Sequence, residues 1–310
     1  MLPRSVRHIG SSLGSSSEPE DFLAHSAVSI LAPFRSTRGV VALLAAVCAL
    51  ALGPAAHAQS RPKPVVAKRT AAGKPDISGI WEALSAASFN VEDHAATFGP
   101  VAVLGAQGAV PPGFGVVKGQ IPYLPAALAQ RDENYKNRLT ADPEVKCYRA
   151  GVPRSTYMPQ PFQILQTDGD ILIAYQYANA LRTIFMKDHG EAPIDSWMGW
   201  SNGHWEGDVL VVDVTGQIGQ SWLDRAGNFA TASLHVVERY IPQGPDHIWY
   251  EATLEDPAVY SRPWTISLPL YRHVEPNAQL LEFKCEEFAE EVLYGHLAKK
   301  PEATNAPPPR

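Results

Sequence analysis

The chain has 310 residues, a formal charge of −6 and a hydrophobic content of 45%. A mildly acidic sequence with no basic cluster argues against nucleic acid or an anionic membrane as a partner. The apolar content is ample for a core, in one large domain or two small ones.

Arg35 and Arg38 precede the apolar run GVVALLAAVCALALG (residues 39–53), which ends in AHA before Gln59 and Ser60. A basic region, a short apolar run and a small-x-small site predict an export signal cleaved after Ala58. The run is too short to span a bilayer comfortably; an uncleaved anchor is the alternative reading. Cys48 lies inside the run, after Val47, and is not placed as a lipid-anchor cysteine. Residues 1–58 are thus read as a signal peptide with an upstream extension, and the mature protein as periplasmic or secreted. Their removal deletes four basic and three acidic side chains and takes the formal charge from −6 to −7.

Two cysteines remain, Cys147 and Cys285. An even count in an oxidising compartment predicts a disulfide between them. Closing a loop of well over roughly a hundred residues, it would be worth roughly 4–5 kcal/mol. Two free buried thiols are the alternative.

Residues 59–74 form a basic linker without periodicity, expected to be disordered. A single barrel-like domain is expected over 75–298, beginning with the strand candidate PDISGIWEAL. Residues 99–125 are rich in Gly and Pro and read as a long loop of the kind that serves as a lid or binding segment. PAALAQRDENYKNRL (125–139) carries proline in its first turn and good helix formers after it, which predicts a short helix.

From Phe162 the pattern turns to strands. FQILQT and DILIAYQY flank Asp168-Gly169, a hairpin signal, and LRTIFM (181–186) extends it into a meander. HWEGDVLVVDV turns at Glu206-Gly207-Asp208, and LHVVERYI with HIWYEATLE turns at 243–246. WTISLPLYRHV and QLLEFKC form a fourth expected hairpin around 275–277. EEFAEEVLYGHL (286–297) reads as a C-terminal helix, and 299–310 as a disordered tail. The fold class is therefore mainly β: an antiparallel meander closed into a lipocalin-like barrel or curved sandwich, with a short helix before it and a helix after it. Closure is expected because a long meander must remove its edges.

Gly79-Ile80-Trp81 resembles the G-x-W signature at the first strand of lipocalin-like barrels, and the WEGDVLVV hairpin is similar to one in fatty-acid-binding barrels. Over most of the mature chain the sequence resembles a widespread family of exported bacterial proteins. The resemblance is carried by DPEVKCYRAGVPR (142–154), WEGDVLVVD (205–213), WLDRAG (222–227), LHVVERY (234–240) and DPAVYSRPW (256–264). It implies a common fold and assigns no activity. Members of that family often carry a histidine after the DRAG segment, where this chain has Asn228-Phe229-Ala230, so chemistry resting on that histidine is not carried over.

Strand alternation frames the candidate chemistry. Asp213 shares a face with Val209 and Val211; turned inward, its carboxyl would sit among apolar groups with a raised pKa. One face of LHVVERYI bears Leu234, Val236, Glu238 and Tyr240, and the other His235, Val237, Arg239 and Ile241. Either Glu238 or the His235/Arg239 pair must enter the interior. Asp213, Glu238 and His235 are the candidate proton-transfer groups. A buried salt bridge from Glu238 to Arg182 is the competing structural reading. Asp224 and Arg225 lie on a loop between strands, where barrel-mouth sites are built. The candidate ligand-binding residues are Tyr175, Arg182, Trp200, His204, Asp224, Arg239, Trp249 and Trp264; for the tryptophans, ordinary core packing is the default reading.

No HExxH, His-x-His or CxxC supports a metal, no GxSxG a serine nucleophile, and no P-loop or dinucleotide fingerprint a nucleotide. No metal and no cofactor are expected. The leading function is an exported barrel that binds a small apolar or aromatic molecule in an aromatic-lined cavity. The alternatives are a periplasmic isomerase, lyase or hydrolase working through Asp/Glu/His chemistry on the same scaffold, and a cell-envelope interaction protein without a cavity.

Overall fold

A computed structural model of the chain describes residues 67–99, 109–294 and 296. The expected signal peptide at 1–58, residues 59–66 of the linker at 59–74, residues 100–108 of the Gly/Pro-rich loop and the tail from 299 lie outside the described residues.

Nine strands close into one barrel in chain order. They are β1 (Gly79–Glu82), β2 (Phe162–Gln166), β3 (Ile171–Tyr175), β4 (Leu181–Phe185) and β5 (Trp200–Glu206), then β6 (Val209–Thr215), β7 (His235–Pro242), β8 (His247–Glu255) and β9 (Trp264–Arg272). β9 pairs back to β1 through Trp81↔Arg272 and Glu82↔Tyr271, which closes the ring. Period-two alternation sets the inner face. β8 turns Ile248, Tyr250, Ala252 and Leu254 inward, and β9 turns Trp264, Ile266, Leu268 and Leu270 inward. These side chains are buried in one continuous core with Phe162, Ile164, Ile173, Ile184, Val212 and Val236. Each buried aliphatic of this kind contributes about 1.5–3 kcal/mol relative to exposure.

Two features depart from the meander expected. β4 and β5 run parallel, pairing Ile184↔Ser201 and Phe185↔Asn202. The long connection 186–199 makes this possible, since parallel neighbours need a crossover rather than a turn. Gly203 is required there: a Cβ on it would meet Ile184 Cγ2 at 2.5 Å. The fourth hairpin does not form. QLLEFKC is not a strand, because β9 has already used its free edge on β1. Instead this segment lies over the loop around Tyr177. Asn179 Nδ2 donates to the Phe283 carbonyl at 3.2 Å, and Phe283 packs on the Tyr177 ring at 5.2 Å. The Cys147–Cys285 disulfide, spanning a sequence separation of 138, fixes it.

The helix α1 (Pro125–Lys136) lies between β1 and β2 in the chain rather than ahead of the barrel. Pro125 opens it, and only Ala127 on it is buried. A short helix α2 (Arg138–Ala141) follows; of the C-terminal helix expected over 286–297, the structure describes only the six-residue α3 (Ala289–Tyr294), and 286–288 are not helical. The described part of the Gly/Pro-rich segment covers an edge. Ser267 N donates to the Val116 carbonyl at 2.7 Å, Val117 bridges Ile266, and Leu124 N donates to the Val259 carbonyl at 2.8 Å. It protects the part of β9 that short β1 leaves unpaired.

Candidate functional site

β7 resolves which of its faces is inside. Val236, Glu238 and Tyr240 are buried, and His235, Val237, Arg239 and Ile241 alternate on the outer side. Glu238 is 0% exposed and Arg182, from β4, is 3% exposed. Arg182 Nη2 donates to Glu238 Oε2 in an ion pair across the interior. Arg182 Nε donates to Ser201 Oγ at 2.8 Å. The other Glu238 oxygen accepts from Tyr250 Oη at 2.7 Å and Tyr240 Oη at 3.2 Å. A charge pair taken out of water needs such additional partners, or its desolvation cost exceeds its attraction.

The network is incomplete on one side. Arg182 Nη1, Tyr175 Oη and Thr156 Oγ1 are buried and close no hydrogen bond with protein. They lie together: Arg182 and Thr156 both come within reach of the Tyr175 phenol without closing a hydrogen bond of good geometry on it. Burial pushes the Tyr175 phenol pKa up against the pull of Arg182. Burial and the nearby Glu238 carboxylate do the same to Tyr240 and Tyr250, so all three phenols stay protonated and able to donate. Burial works against the Arg182 charge, but Glu238 outweighs it and the guanidinium pKa lies above its usual value.

Thr156 reaches this cluster from a tight 3-10 turn, Arg154–Tyr157, whose four residues are all buried. Three contacts hold the turn. Gln217 clamps Val152, accepting from its N–H at 2.9 Å and donating to its carbonyl at 2.9 Å. Tyr157 Oη donates to the Leu223 carbonyl at 2.8 Å. Arg154 makes a two-pronged pair with Asp142 at 3.0 and 3.2 Å and also meets Glu144, which in turn receives Arg225 at 2.6 and 2.9 Å. Fully buried Asp224 accepts from the backbone N–H groups of Val91, Ala226 and Asn228 and from the Asn228 amide. The segments DPEVKCYRAGVPR and WLDRAG thus meet in one ion-paired cluster beside the turn. Asn228, at the start of the segment where the resemblance leads one to expect histidine, also accepts from Tyr123 Oη at 2.8 Å.

The three candidate proton-transfer residues are not gathered at one centre. Asp213 turns outward, and its carboxylate lies 3.2 Å from His235 Nε2 on the outer wall, with side chains 46% and 38% exposed. Glu238 is inside. Among the expected ligand-binding residues, Tyr175 and Arg182 meet in the interior, whereas Asp224 belongs to the ion-paired cluster. His204 and Arg239 both reach Glu206 on the outer face, at 3.4 and 2.9 Å. The tryptophans diverge. Trp200 packs on Phe185 at 4.5 Å outside the barrel wall, Trp249 bonds Glu251 on the exposed face, and buried Trp264 packs on Tyr260 at 5.3 Å. No single aromatic pocket unites them.

Sequence reasoning placed Tyr240 on the face of Glu238 without assigning it a role, and it missed Thr156. The period-two pattern carried the first signal; an irregular turn offers no comparable pattern for the second.

Two surface clefts lie elsewhere. One of about 200 Å³ is bordered by Arg69, Asp208 and Gln243, and one of about 410 Å³ by Asn90, Glu92, Asp93 and Gln120. Among the described residues no group of three or more His, Cys, Asp or Glu side chains is arranged to hold a metal ion. Among them, too, no helix is long and apolar enough to cross a membrane. No protein-family model matches the chain, and no curated protein matches its sequence.

Proposed function

We propose that the mature chain is an exported, lipocalin-like barrel that takes a small aromatic or apolar molecule by its polar end at Arg182, Tyr175 and Thr156. Membership of the exported bacterial family that its motifs resemble is part of the same reading. The observation that carries it is the trio of buried polar atoms beside the Arg182–Glu238 pair, Arg182 Nη1, Tyr175 Oη and Thr156 Oγ1, which close no hydrogen bond with protein. A buried donor left without a partner costs about 1–3 kcal/mol, more when charged. Three such atoms side by side, next to the Arg182–Glu238 network, are placed to receive polar atoms from elsewhere. Tyr240 and Tyr250, whose hydroxyls donate to Glu238, add aromatic faces. The Cys147–Cys285 bridge supports the exported setting, since such bonds persist in oxidising compartments.

Calorimetric titration of the purified mature chain with acetophenone tests this reading. Saturable binding of one molecule per chain is expected, together with its loss in the Tyr175→Phe/Thr156→Val double variant. A folded wild-type chain that takes up neither acetophenone nor benzamide would make the interior a solid core and leave the envelope-interaction reading in its place.

A further inference from the structure

We infer that the molecule held at Arg182, Tyr175 and Thr156 is electrically neutral and presents a carbonyl, with an amide as the best-matched group. This deepens the binding reading above and rests on it. Arg182 looks like an anion receptor, a buried guanidinium with an N–H group to spare. Its charge, however, is already offset by Glu238, 0% exposed and directly paired with it. A carboxylate brought to Arg182 Nη1 would leave two negative charges on one positive charge in a desolvated interior, at a cost of several kcal/mol.

Among the described residues nothing nearby supplies the missing positive charge. The other buried arginine, Arg154, sits on the turn that carries Thr156 and is engaged by Asp142 and Glu144, with Asp224 close enough to act on it. A cation fares no better, because the Glu238 oxygens are taken by Arg182, Tyr240 and Tyr250.

The three free atoms then define the group that fits. Arg182 Nη1 donates only, whereas the Tyr175 and Thr156 hydroxyls donate or accept. A carbonyl oxygen has two lone pairs, which match the guanidinium N–H and the phenol. The Thr156 hydroxyl is left to accept, and an amide N–H beside the carbonyl satisfies it. A ketone offers acceptor sites alone; a carboxylate could accept from all three atoms and is excluded by its charge.

Benzamide, benzoate and benzamidinium share one shape and carry charges of 0, −1 and +1 at neutral pH. Calorimetry with the full mature chain is expected to show benzamide bound at least tenfold more tightly than either ion, and more tightly than acetophenone. In Thr156→Val the preference for benzamide over acetophenone is expected to disappear while both still bind. Benzoate binding as tightly as benzamide, or more so, would overturn the neutral-ligand inference and leave the binding reading standing. A wild-type chain that binds none of the four compounds would overturn both.

Discussion

Arg182 on β4 and Glu238 on β7 meet inside the barrel, and among the described residues neither has another ionic partner. Each is therefore expected to depend on its mate. Arg182→Met strands a buried carboxylate and Glu238→Leu strands a buried guanidinium, and each is expected to cost about 3–5 kcal/mol. The double variant should cost clearly less than the two together, with a coupling of about 2 kcal/mol. Urea unfolding of the four proteins measures this. Additive losses would mean that the two charges are stabilised separately.

The disulfide ties the segment after β9 to the loop that follows α2. Its sequence separation of 138 places its expected contribution at roughly 4–5 kcal/mol on the chain-entropy account. Cys147→Ser/Cys285→Ser should lower the unfolding free energy by about that amount. Intact-mass analysis of chain recovered from an exporting host should give a product that begins at Gln59 and contains no free thiol. A product retaining residues 39–53, or one with two reactive thiols, would contradict the exported assignment.

Glu144 and Asp224 sit around the same arginine yet titrate in opposite senses. Burial works against ionised Glu144, but Arg154 and Arg225 outweigh it and hold its pKa below the usual value. Its stabilising contribution is present above the unfolded pKa and is lost as pH falls through the folded one. Burial pushes Asp224 up from 3.8 to about 6, although the Asn228 amide, the Val91 N–H and Arg154 pull the other way. Its contribution is complete below the unfolded value and is lost as pH rises toward about 6, on the order of 3 kcal/mol. Unfolding free energies measured across acidic pH should show Asp224→Asn without the decline between about pH 4 and 6, and Glu144→Gln without the acid loss below about pH 4.5. A variant curve parallel to wild type would remove that residue from the pH account.

Asp213 and His235 form an exposed pair on the outer wall. Ion pairs of this kind contribute little, so Asp213→Asn and His235→Ala should each change stability by less than about 1 kcal/mol. Benzamide affinity should be unchanged in both. Loss of binding in either variant would place the site on the outer surface and not in the interior.

Much of the barrel was legible because its signals are local. Asp168-Gly169 and Gly207 mark turns, and Gly207, at φ 60, adopts the left-handed conformation its turn needs. Alternation along β7 reduced its facing to two choices, and the possible pairing of Glu238 with Arg182 came from the sequence. The rest depended on which edges meet. The parallel β4–β5 pair has no local signature, and QLLEFKC has the apolar content of a strand but finds the ring already closed. The tryptophans offered composition without direction. Thr156 enters the interior from an irregular turn held by Gln217 and, through Tyr157, by the Leu223 carbonyl, both distant partners that no spacing rule anticipates.

On the proposed function the Tyr175 hydroxyl serves a bound molecule rather than the fold. Urea unfolding of ligand-free Tyr175→Phe against wild type tests it most directly. A hydroxyl without a protein partner is not missed, so the variant should be equally stable or gain up to about 1 kcal/mol. A loss of more than about 1 kcal/mol would show that the hydroxyl holds the barrel together and would contradict the account.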